Sequence, residues 1–402
     1  MSKSVILGAK RTPIGAFAGA LKDVSSVELG KVAAAAALEQ SGVKKQDVTE
    51  LLLGQVLPAG QGQGVARQIS IGIGLPIETP ATATNMVCGS GLKTVMQADI
   101  NIRAGEGDVY VAMGTESMSQ APYLMPHQTR SGIKMGAIEM KDHMIHDSLT
   151  DPFDVVHMGI TAENIVDKYE LTREAQDRFA ITSQERAIKA VDGGVFKDEI
   201  APVETKVRRE TVIVDTDEYP NRKTSYEKLG TLRAAFKKDG SVTAGNSSGI
   251  NDGASAVVVA SEEYAKTHSL KPLVEIVSIG QGGVEPSTMG MGPVPAIKQA
   301  LERANLTLND IDLLELNEAF AAQSLGVLTQ LAEDHGTTVE ALTEKTNVNG
   351  GAIALGHPLG ASGNRILVSL IYQMKKQNAT YGLASLCIGG GMGTCVIVKN
   401  VE

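Results

Sequence analysis

Two cysteines and a histidine stand in glycine-rich surroundings that suit covalent chemistry. Cys88 lies in the segment NMVCGSG, residues 85–91, directly before a predicted helix. Backbone N–H groups and the positive end of the helix dipole would stabilise a thiolate there and lower the pKa of Cys88. The glycines would let a substrate approach and expose main-chain donors as an oxyanion pocket. The segment predicts a nucleophilic cysteine, and a buried structural cysteine at a strand–helix junction fits it equally well.

His357 follows a run of small residues, NVNGGAIALG, at residues 347–356, and Pro358 comes directly after it. Glycine and proline on its two sides predict an exposed turn. Imidazole is the natural base for activating a thiol, which makes His357 a candidate partner for a cysteine. The commoner role of a single histidine is to bond to nearby backbone groups, and that alternative stays open.

Cys387 opens the segment CIGGGMG, residues 387–393, after an apolar predicted strand. Three consecutive glycines indicate a loop whose amides face a ligand. The following residues, 394–398, read as a second strand and not as a helix, and the spacing matches neither dinucleotide-binding nor P-loop patterns. A β-hairpin turn is therefore the alternative. Cys395 alternates with apolar neighbours in that second strand and is predicted to lie in the core.

Asn317 and Glu318 begin the segment NEAFA after a further predicted strand. The two side chains could cap the following helix, or orient a water or a carbonyl oxygen. Each of these four segments is a weak indication alone, whereas all four in one chain are specific.

The composition is that of a folded protein, and the length predicts two or three domains. Its 402 residues are 43% hydrophobic and 21% charged, and the formal net charge of −9 argues against a nucleic-acid binder. Three cysteines are too few to stabilise a chain of this length through disulfide bonds, so we expect reduced thiols and a cytoplasmic protein. The N-terminus has no apolar run long enough for a signal peptide, and no 18 apolar residues run together, so no membrane span is expected.

Strand and helix patterns alternate in a way that predicts a layered α/β fold. Strands are predicted at residues 5–7, 50–56 and 108–113, with a helix between Ser25 and Gly42 that opens on a capping box and another over residues 92–104. In the second half, the sequence of residues 310–315 is similar to that of residues 46–52. A helix from residue 360 and a strand over residues 382–387 repeat the earlier order. We interpret this as a weak internal duplication.

Residues 120–249 differ from both halves and read as an insertion. They hold four of the seven histidines and a run of methionines. Local positive charge on an acidic protein suggests a lid or ligand-binding subdomain, although a solvated charged surface is the alternative for each single residue. The basic residues are Lys206, Arg208, Arg209, Arg222, Lys223, Lys228, Arg233, Lys237 and Lys238.

Over its whole length the sequence resembles the thiolase family, and most closely the short-chain branch that transfers acetyl groups. Besides the segments above, the resemblance includes RTPIG at 11–15, GTESMS at 114–119, TAGNSSG at 243–249 and MGMGP at 289–293. It implies two duplicated halves, each a mixed β-sheet covered by helices, in five αβαβα layers. The N-terminal half would comprise residues 1–119 and 250–271, and the C-terminal half residues 272–402. Residues 120–249 would form an inserted loop domain that holds coenzyme A (CoA) and makes oligomer contacts.

The resemblance also implies a role for each candidate residue. Cys88 would be the nucleophile that carries the acyl group, and His357 would take its proton. Cys387 would be the second acid/base, removing the α-proton of the attacking acetyl-CoA or protonating the departing thiolate. Asn317, through a water, would stabilise the enolate oxygen together with His357. The amides of Cys88 and Gly389 would form the other oxyanion site.

The implied reaction is the reversible Claisen condensation of two acetyl-CoA molecules to acetoacetyl-CoA and CoA, by a ping-pong mechanism. CoA thioesters would be substrates, with no permanently bound cofactor, no metal site, and no nucleic-acid or membrane partner. The resemblance further implies a homo-oligomer, dimer or tetramer, and a place in lipid metabolism such as the mevalonate pathway. The residues expected to line the pantetheine and acyl pocket or to contact CoA are His157, Met158, Arg222, Ala244, Ser248 and Met289.

Three alternatives remain from the residues alone. A degradative 3-ketoacyl-CoA thiolase would use the same residues on longer chains, but Met158 and Met289 suggest a pocket narrowed for short acyl groups. A decarboxylating ketoacyl synthase on a related fold would not use a second cysteine at position 387. A catalytically silent CoA- or lipid-binding protein would have no need for two reactive thiols.

Overall fold

The computed structural model describes residues 3–207 and 210–401, so Arg208 and Arg209 of the basic stretch lie outside the described residues. The strands, in chain order, are β1 Ser4–Arg11, β2 Gly15–Ala16, β3 Glu50–Gly54, β4 Ala81–Thr84, β5 Val109–Ser117, β6 Tyr123–Leu124, β7 Lys141–Asp142, β8 Val203–Val207, β9 Glu210–Val214, β10 Asn251–Ser261, β11 Val274–Gly283, β12 Leu313–Leu316, β13 Tyr381–Ile388 and β14 Met392–Asn400. The α-helices are α1 Ser26–Ser41, α2 Val65–Gly72, α3 Ser90–Ala104, α4 Met158–Tyr169, α5 Arg173–Asp192, α6 Tyr226–Gly230, α7 Glu262–Thr267, α8 Pro293–Ala304, α9 Ala321–His335, α10 Val339–Lys345, α11 Ala352–Leu355 and α12 Leu359–Gln377.

One mixed sheet of ten strands carries the fold, in the order β12-β13-β14-β11-β1-β10-β5-β3-β4, with β2 paired to β10. Outward from the β1–β11 junction, the two sides have the same arrangement. Strands β1, β10 and β5 are antiparallel neighbours and β3 runs parallel to β5; likewise β11, β14 and β13 are antiparallel and β12 runs parallel to β13. The internal duplication predicted from the sequence is therefore present in the sheet.

Helices cover this sheet in layers. Helix α1 packs on β1, β5 and β10, and α8 packs on β11 and β14. Helices α3 and α12 pack on each other, and the core around them includes strand residues of both halves. Along β10, Val257 and Val259 point into this central core while Ala256 and Val258 point to the outer one under α1. The two sides of the sheet thus form two β layers, and α3 and α12 lie between them. The fold is therefore a five-layered α/β/α/β/α stack.

Two local predictions differ from the structure. Strand β1 continues through Gly8 to Arg11. Gly8 does not end the strand: a Cβ there would collide with the carbonyl oxygen of Ala37, so glycine lets α1 pack closely. The capping box of α1 is only half formed. Ser25 accepts the N–H of Glu28, but the Glu28 carboxylate binds Lys31 instead of returning to Ser25.

Residues 120–249 contain the short hairpins β6–β7 and β8–β9 and the helices α4 to α6. Helix α4 packs on α9, and α5 packs on α9 and α11, so this region is attached to the C-terminal half beside the predicted site segments. Within residues 3–207 and 210–401, no helix has the length and apolarity needed to cross a membrane.

Candidate active site

Cys88 is held in a tight turn immediately before α3. Val87 has φ of 45°, a left-handed conformation that is strained for a β-branched residue. The hydroxyl of Ser90 closes the turn by accepting the N–H of Met86 and donating to the carbonyl of Val87. A Cβ on Gly89 would collide with the side chain of Ile388, so glycine lets this turn approach the end of β13.

The sulfur of Cys88 receives two backbone N–H groups, its own and that of Gly389. Burial nevertheless raises the pKa of Cys88 to about 11, and the negative charge of Glu116 acts in the same direction. The sequence-based expectation of a lowered pKa is therefore wrong for the free protein, because desolvation outweighs the two amides. Cys88 is a neutral thiol at pH 7 and needs a base to become a nucleophile.

Cys387 lies near the end of β13, where it is 1% exposed. Strands β13 and β14 form a hairpin whose turn contains Gly390 and Gly391, both with positive φ, of 85° and 86°. The hairpin alternative for this glycine run is thus correct. Burial raises the pKa of Cys387 far above that of a free thiol, and negative charge on Cys88 would raise it further. The turn of Cys88 packs against the end of this strand, since a Cβ on Gly89 would collide with Ile388 and one on Gly389 would lie 3.5 Å from Val87.

His357 lies between α11 and α12 and is 4% exposed, so the predicted exposed turn is wrong. The preceding Gly356 has φ of 105° and turns the chain inward. The backbone N–H of His357 donates to Oδ1 of Asn251, 2.9 Å away. Its Nδ1 lies 2.6 Å from Oγ of Ser362, and its Nε2 is buried without a hydrogen-bond partner among the described residues.

The electrostatics of His357 favour a neutral ring. Burial lowers the pKa of His357 to about 3, and the positive charge of Arg365 lowers it further. Arg365 is itself 2% exposed and lies 3.8 Å from the carboxylate of Glu315. At pH 7 the ring of His357 therefore carries one proton and keeps one lone pair.

Asn317 follows β12 and is 1% exposed. Its Nδ2 lies 3.4 Å from Nδ1 of His357, and its Oδ1 is buried and unpaired within the described residues. It does not cap α9, whose N-cap is Phe320. Glu318 does not cap the helix either. Its buried carboxylate accepts hydrogen bonds from Ser183 and Asn347 and from the amide of Ile353, and so ties α5 to the segment before His357.

Glu116 supports this arrangement, although the sequence analysis did not identify it as a candidate site residue. Glu116, which is fully buried, accepts the amides of Val56, Leu57 and Gly360 and so joins the N-terminal half to the start of α12. Burial raises the pKa of Glu116 to about 7. Its only sequence indication was its place in a motif of the family resemblance, because its partners are far away in the chain.

Of the residues expected to line the acyl pocket, Met158 and Met289 are buried in one cluster with Cys387 and Phe320. A Cβ on Gly389 would lie 3.7 Å from the sulfur of Met158. The two methionines are thus beside the cysteine pair.

His157, next to Met158, is the N-cap of α4 and accepts the N–H of Gly159. Its ring stacks on Phe236 with 4.6 Å between centroids. Phe236 is partly buried against the methionine cluster, so His157 borders the same apolar region.

Arg222 and Ala244 line an open cleft of about 500 Å³ that also includes Lys223 and Ile353. The guanidinium of Arg222 makes a bidentate pair with Asp192, at 2.6 and 2.8 Å. Ser248 is half-buried, and its N–H donates to the carbonyl of Ala319 beside the methionine cluster. Of the six predicted contact residues, His157, Met158 and Met289 therefore lie in or beside the apolar cluster of Cys387. Arg222 and Ala244 line the cleft, and Ser248 lies beside the methionine cluster.

In the described part of the chain, no group of three or more His, Cys, Asp or Glu side chains could hold a metal ion. The groups available for chemistry at the site are two thiols, an imidazole, an amide side chain and backbone N–H donors.

Comparison with known proteins gives consistent matches over the whole chain. Residues 4–263 match the family model of the thiolase N-terminal domain, and residues 270–400 match that of the thiolase C-terminal domain. A protein of Syntrophomonas wolfei named acetyl-CoA acetyltransferase is 51% identical, covering 99% of this chain and all of the relative.

Solved structures agree with these matches. The structure of acetyl-CoA acetyltransferase from Syntrophomonas wolfei superposes with a TM-score of 0.97 at 41% identity, covering both chains completely. Human mitochondrial 3-ketoacyl-CoA thiolase superposes with a TM-score of 0.94 at 42% identity, over 100% of this chain and 99% of that one.

Proposed function

This chain belongs to the thiolase family, and we propose that it is an acetyl-CoA C-acetyltransferase that reversibly condenses two acetyl-CoA molecules into acetoacetyl-CoA and CoA. The observation that supports this proposal is the packing of the Cys88 turn, residues 87–89, against Ile388 and Gly389, which directly follow Cys387. Transfer of an acyl group through a thioester needs one nucleophilic sulfur, and carbon–carbon bond formation needs a second base.

In the first half-reaction, Nε2 of His357 takes the proton of Cys88, breaking the S–H bond and leaving a thiolate and an imidazolium. The thiolate attacks the carbonyl carbon of acetyl-CoA. The N–H groups of Cys88 and Gly389 stabilise the resulting oxyanion, since both already point at the sulfur. The CoA thiolate leaves with a proton from Cys387. The products are acetyl-Cys88, free CoA and a Cys387 thiolate.

In the second half-reaction, the Cys387 thiolate removes the α-proton of a second acetyl-CoA. The enolate oxygen is stabilised by Nε2–H of His357 and by a water oriented by Asn317, whose Oδ1 is buried and unpaired within the described residues. The enolate carbon attacks the acetyl group on Cys88. The Cys88 sulfur leaves and recovers its proton from His357, so every proton is returned to its starting atom.

CoA binding is proposed for the cleft and the apolar cluster together. Arg222 and Lys223 at the cleft offer positive charge to CoA phosphates, although the whole protein is acidic. Ala244 and Ser248 would border the pantetheine arm. His157, Met158 and Met289 would surround its inner end and the acyl group beside Cys88.

The same residues would serve a degradative 3-ketoacyl-CoA thiolase, and the similarity to the human mitochondrial enzyme favours that second candidate. Two observations favour short acyl groups. Met158 and Met289 are 7% and 4% exposed and fill the space next to Cys387. The relative at 51% identity also has the acetyltransferase name.

We extend the proposal to the organisation of the chain. Residues 1–119 with 250–271 and residues 272–402 would be the two thiolase halves, with residues 120–249 as the inserted loop domain. The protein would act as a cytoplasmic homo-oligomer, a dimer or tetramer, and would supply acetoacetyl-CoA to lipid metabolism, the mevalonate pathway included. Exposed apolar side chains such as Met135 and Tyr123 in the loop domain support contacts between subunits.

Steady-state kinetics in both directions would test the proposed function. We expect the highest kcat/KM for thiolysis with acetoacetyl-CoA and measurable condensation of acetyl-CoA alone. A higher kcat/KM with long-chain 3-ketoacyl-CoA would make the second candidate the correct one. A protein that binds CoA but turns over no thioester would contradict both.

A further inference from the structure

His357 has to present a lone pair at Nε2 if it is to accept a proton from a thiol, so the proton of its neutral ring must be on Nδ1. In water the two tautomers of an imidazole interconvert freely. A protein selects one by placing a hydrogen-bond acceptor against the nitrogen that is to keep the proton. The partner of Nδ1 therefore decides whether His357 is a base.

That partner is Ser362, in the first turn of α12. Its Oγ lies 2.6 Å from Nδ1 of His357 and 2.9 Å from the carbonyl oxygen of Pro358. A carbonyl oxygen only accepts hydrogen bonds, so the contact with Pro358 uses the single hydroxyl proton of Ser362. The remaining contact then requires Nδ1–H of His357 to donate to a lone pair of Ser362.

We propose that Ser362 is a positioning residue that holds His357 in the Nδ1–H tautomer and thereby keeps Nε2 free to take the proton of Cys88. The inference rests on the proposed function, since it concerns the same base. It assigns Ser362 no contact with substrate.

Because both residues are buried, the contact between Ser362 and Nδ1 of His357 decides which tautomer the ring adopts. Ser362 is fully buried and His357 almost so, and no water competes easily for Nδ1–H. Nε2 is buried without a partner in the described residues, as expected of a lone pair that is reserved for a substrate-side proton. Asn251 accepts the backbone N–H of the same residue, so His357 is held both at its backbone and at the Nδ1 side of its ring.

The charged groups around the pair do not provide another acceptor for Nδ1–H. Arg365 on α12 is a cation and acts against protonation of the ring. Glu116 is bound by the amides of Val56, Leu57 and Gly360. The nearest other group is Nδ2 of Asn317 at 3.4 Å. As a donor, this amide group would favour the opposite tautomer, with the lone pair on Nδ1.

The first test is Ser362→Ala, read out by alkylation of Cys88 with iodoacetamide across the pH range. This readout needs no turnover and no CoA. Without the hydroxyl acceptor, the ring shifts toward the tautomer with the proton on Nε2, which cannot accept from Cys88. We expect the alkylation rate at pH 7 to fall by about 10- to 100-fold, part of the usual contribution of a general base. The rate should recover at high pH, where Cys88 ionises without help.

Ser255→Ala is the matched control. Its buried hydroxyl donates to the carbonyl of Ala361 in the same turn of α12, 2.8 Å away, and does not touch His357. We expect it to lose stability and to keep the wild-type pH profile. A Ser362→Ala protein whose alkylation profile coincides with that of the wild type would overturn the proposal.

A second measurement uses the wild-type protein. In ¹⁵N-histidine-labelled protein, the resonances of His357 are identified by their loss in His357→Asn. The proposal predicts a protonated Nδ1 and an unprotonated Nε2 at pH 7, and the reverse assignment would contradict it. If the wild type also fails to become acetylated at Cys88, the proposed function fails, whereas a reversed tautomer in an active enzyme defeats the Ser362 inference alone.

Discussion

The backbone N–H of Gly389 points at the sulfur of Cys88, although the two residues belong to opposite halves of the chain. Gly389 follows β13, and Cys88 precedes α3. The contact is possible because the strained turn at Val87 and the absence of a side chain on Gly89 let the segment of Cys88 approach the end of β13. The duplicated sheet therefore brings a donor from one half to Cys88, the proposed nucleophile, in the other.

Replacement of the second cysteine should separate the two half-reactions. In Cys387→Ser the hydroxyl is a far weaker acid than a thiol and does not give its proton to the departing CoA thiolate, so no anion forms at this position to remove the α-proton. We expect condensation to fall by about 100-fold or more, while some acetyl-Cys88 still forms, since the CoA thiolate can take a proton from water. Acetylation is measured by mass spectrometry and condensation by formation of acetoacetyl-CoA.

Cys395→Ser is the control for this substitution. Cys395 is also fully buried, but it lies in the outer core of the C-terminal half under α8 and α9. It should lose stability and keep its rate of condensation per folded molecule. Full condensation activity in Cys387→Ser would show that its assigned role is wrong.

Removal of the amide at position 317 should affect the enolate step more than acyl transfer. Asn317→Ala loses the amide next to His357, which we propose orients a water toward the enolate oxygen. Loss of one such donor typically costs about 100- to 1,000-fold in kcat. We expect this loss in condensation and a smaller one in acetylation of Cys88. Asn349→Ala, which removes a hydrogen bond to Gln373, serves as control and should retain both activities. Equal losses in the two half-reactions would contradict the assignment.

The acyl range should widen when the methionine beside the loop is shortened. Met158→Ala opens space next to Gly389 and Cys387. Because one methylene in an apolar pocket is worth about 1–3 kcal/mol, kcat/KM for 3-ketohexanoyl-CoA relative to acetoacetyl-CoA should rise about 10-fold. Met374 lies in the central core around α3 and α12, so Met374→Ala should leave this ratio unchanged. An unchanged ratio in Met158→Ala would place the acyl group elsewhere.

His357 should make stability depend on pH. Its pKa in the folded protein is about 3, against 6.5 for a free histidine, so between these values only the unfolded chain binds the proton. Stability contributed by this group is therefore lost as pH falls below 6.5. At pH 4 the wild type should lose about 3 kcal/mol more than His357→Asn, relative to pH 7.

Urea unfolding of both proteins at equal concentration measures this difference. Glu116, with its pKa raised to about 7, keeps its proton in the folded state and acts in the opposite direction, but it does so in both proteins and cancels in the comparison. Parallel losses in the two proteins would show that His357 is solvated in solution.

The sequence predicted those features that are local or repeated. Short apolar runs and the similarity between residues 46–52 and 310–315 predicted the strands β3 and β12 and the duplication. Of the four motif segments, the fold places Asn317 against His357 and the turn of Cys88 against the residues that follow Cys387. The stop of α1 at Gly42, with φ of 69°, followed from glycine's tolerance of the left-handed region.

The features that could not be predicted depend on burial and on distant partners. Glycine and proline around His357 indicate a turn, but whether a turn is exposed depends on what packs over it. Here the residue is buried, with its backbone N–H bound to Asn251 and its ring bound to Ser362. A helix N-terminus favours a thiolate, but the desolvation of Cys88 outweighs it. Glu318 and its partners are brought together only by the tertiary fold.

Acetylation of Cys88 is the most direct test of the account. Wild-type protein incubated with radiolabelled acetyl-CoA and freed of unbound label should retain about one acetyl group per chain, carried by the peptide that contains Cys88. Cys88→Ser should retain none and should be inactive in both directions. A stable wild-type protein that retains no label on that peptide, or that carries it on another residue, would contradict the central claim that Cys88 is the acyl-accepting nucleophile.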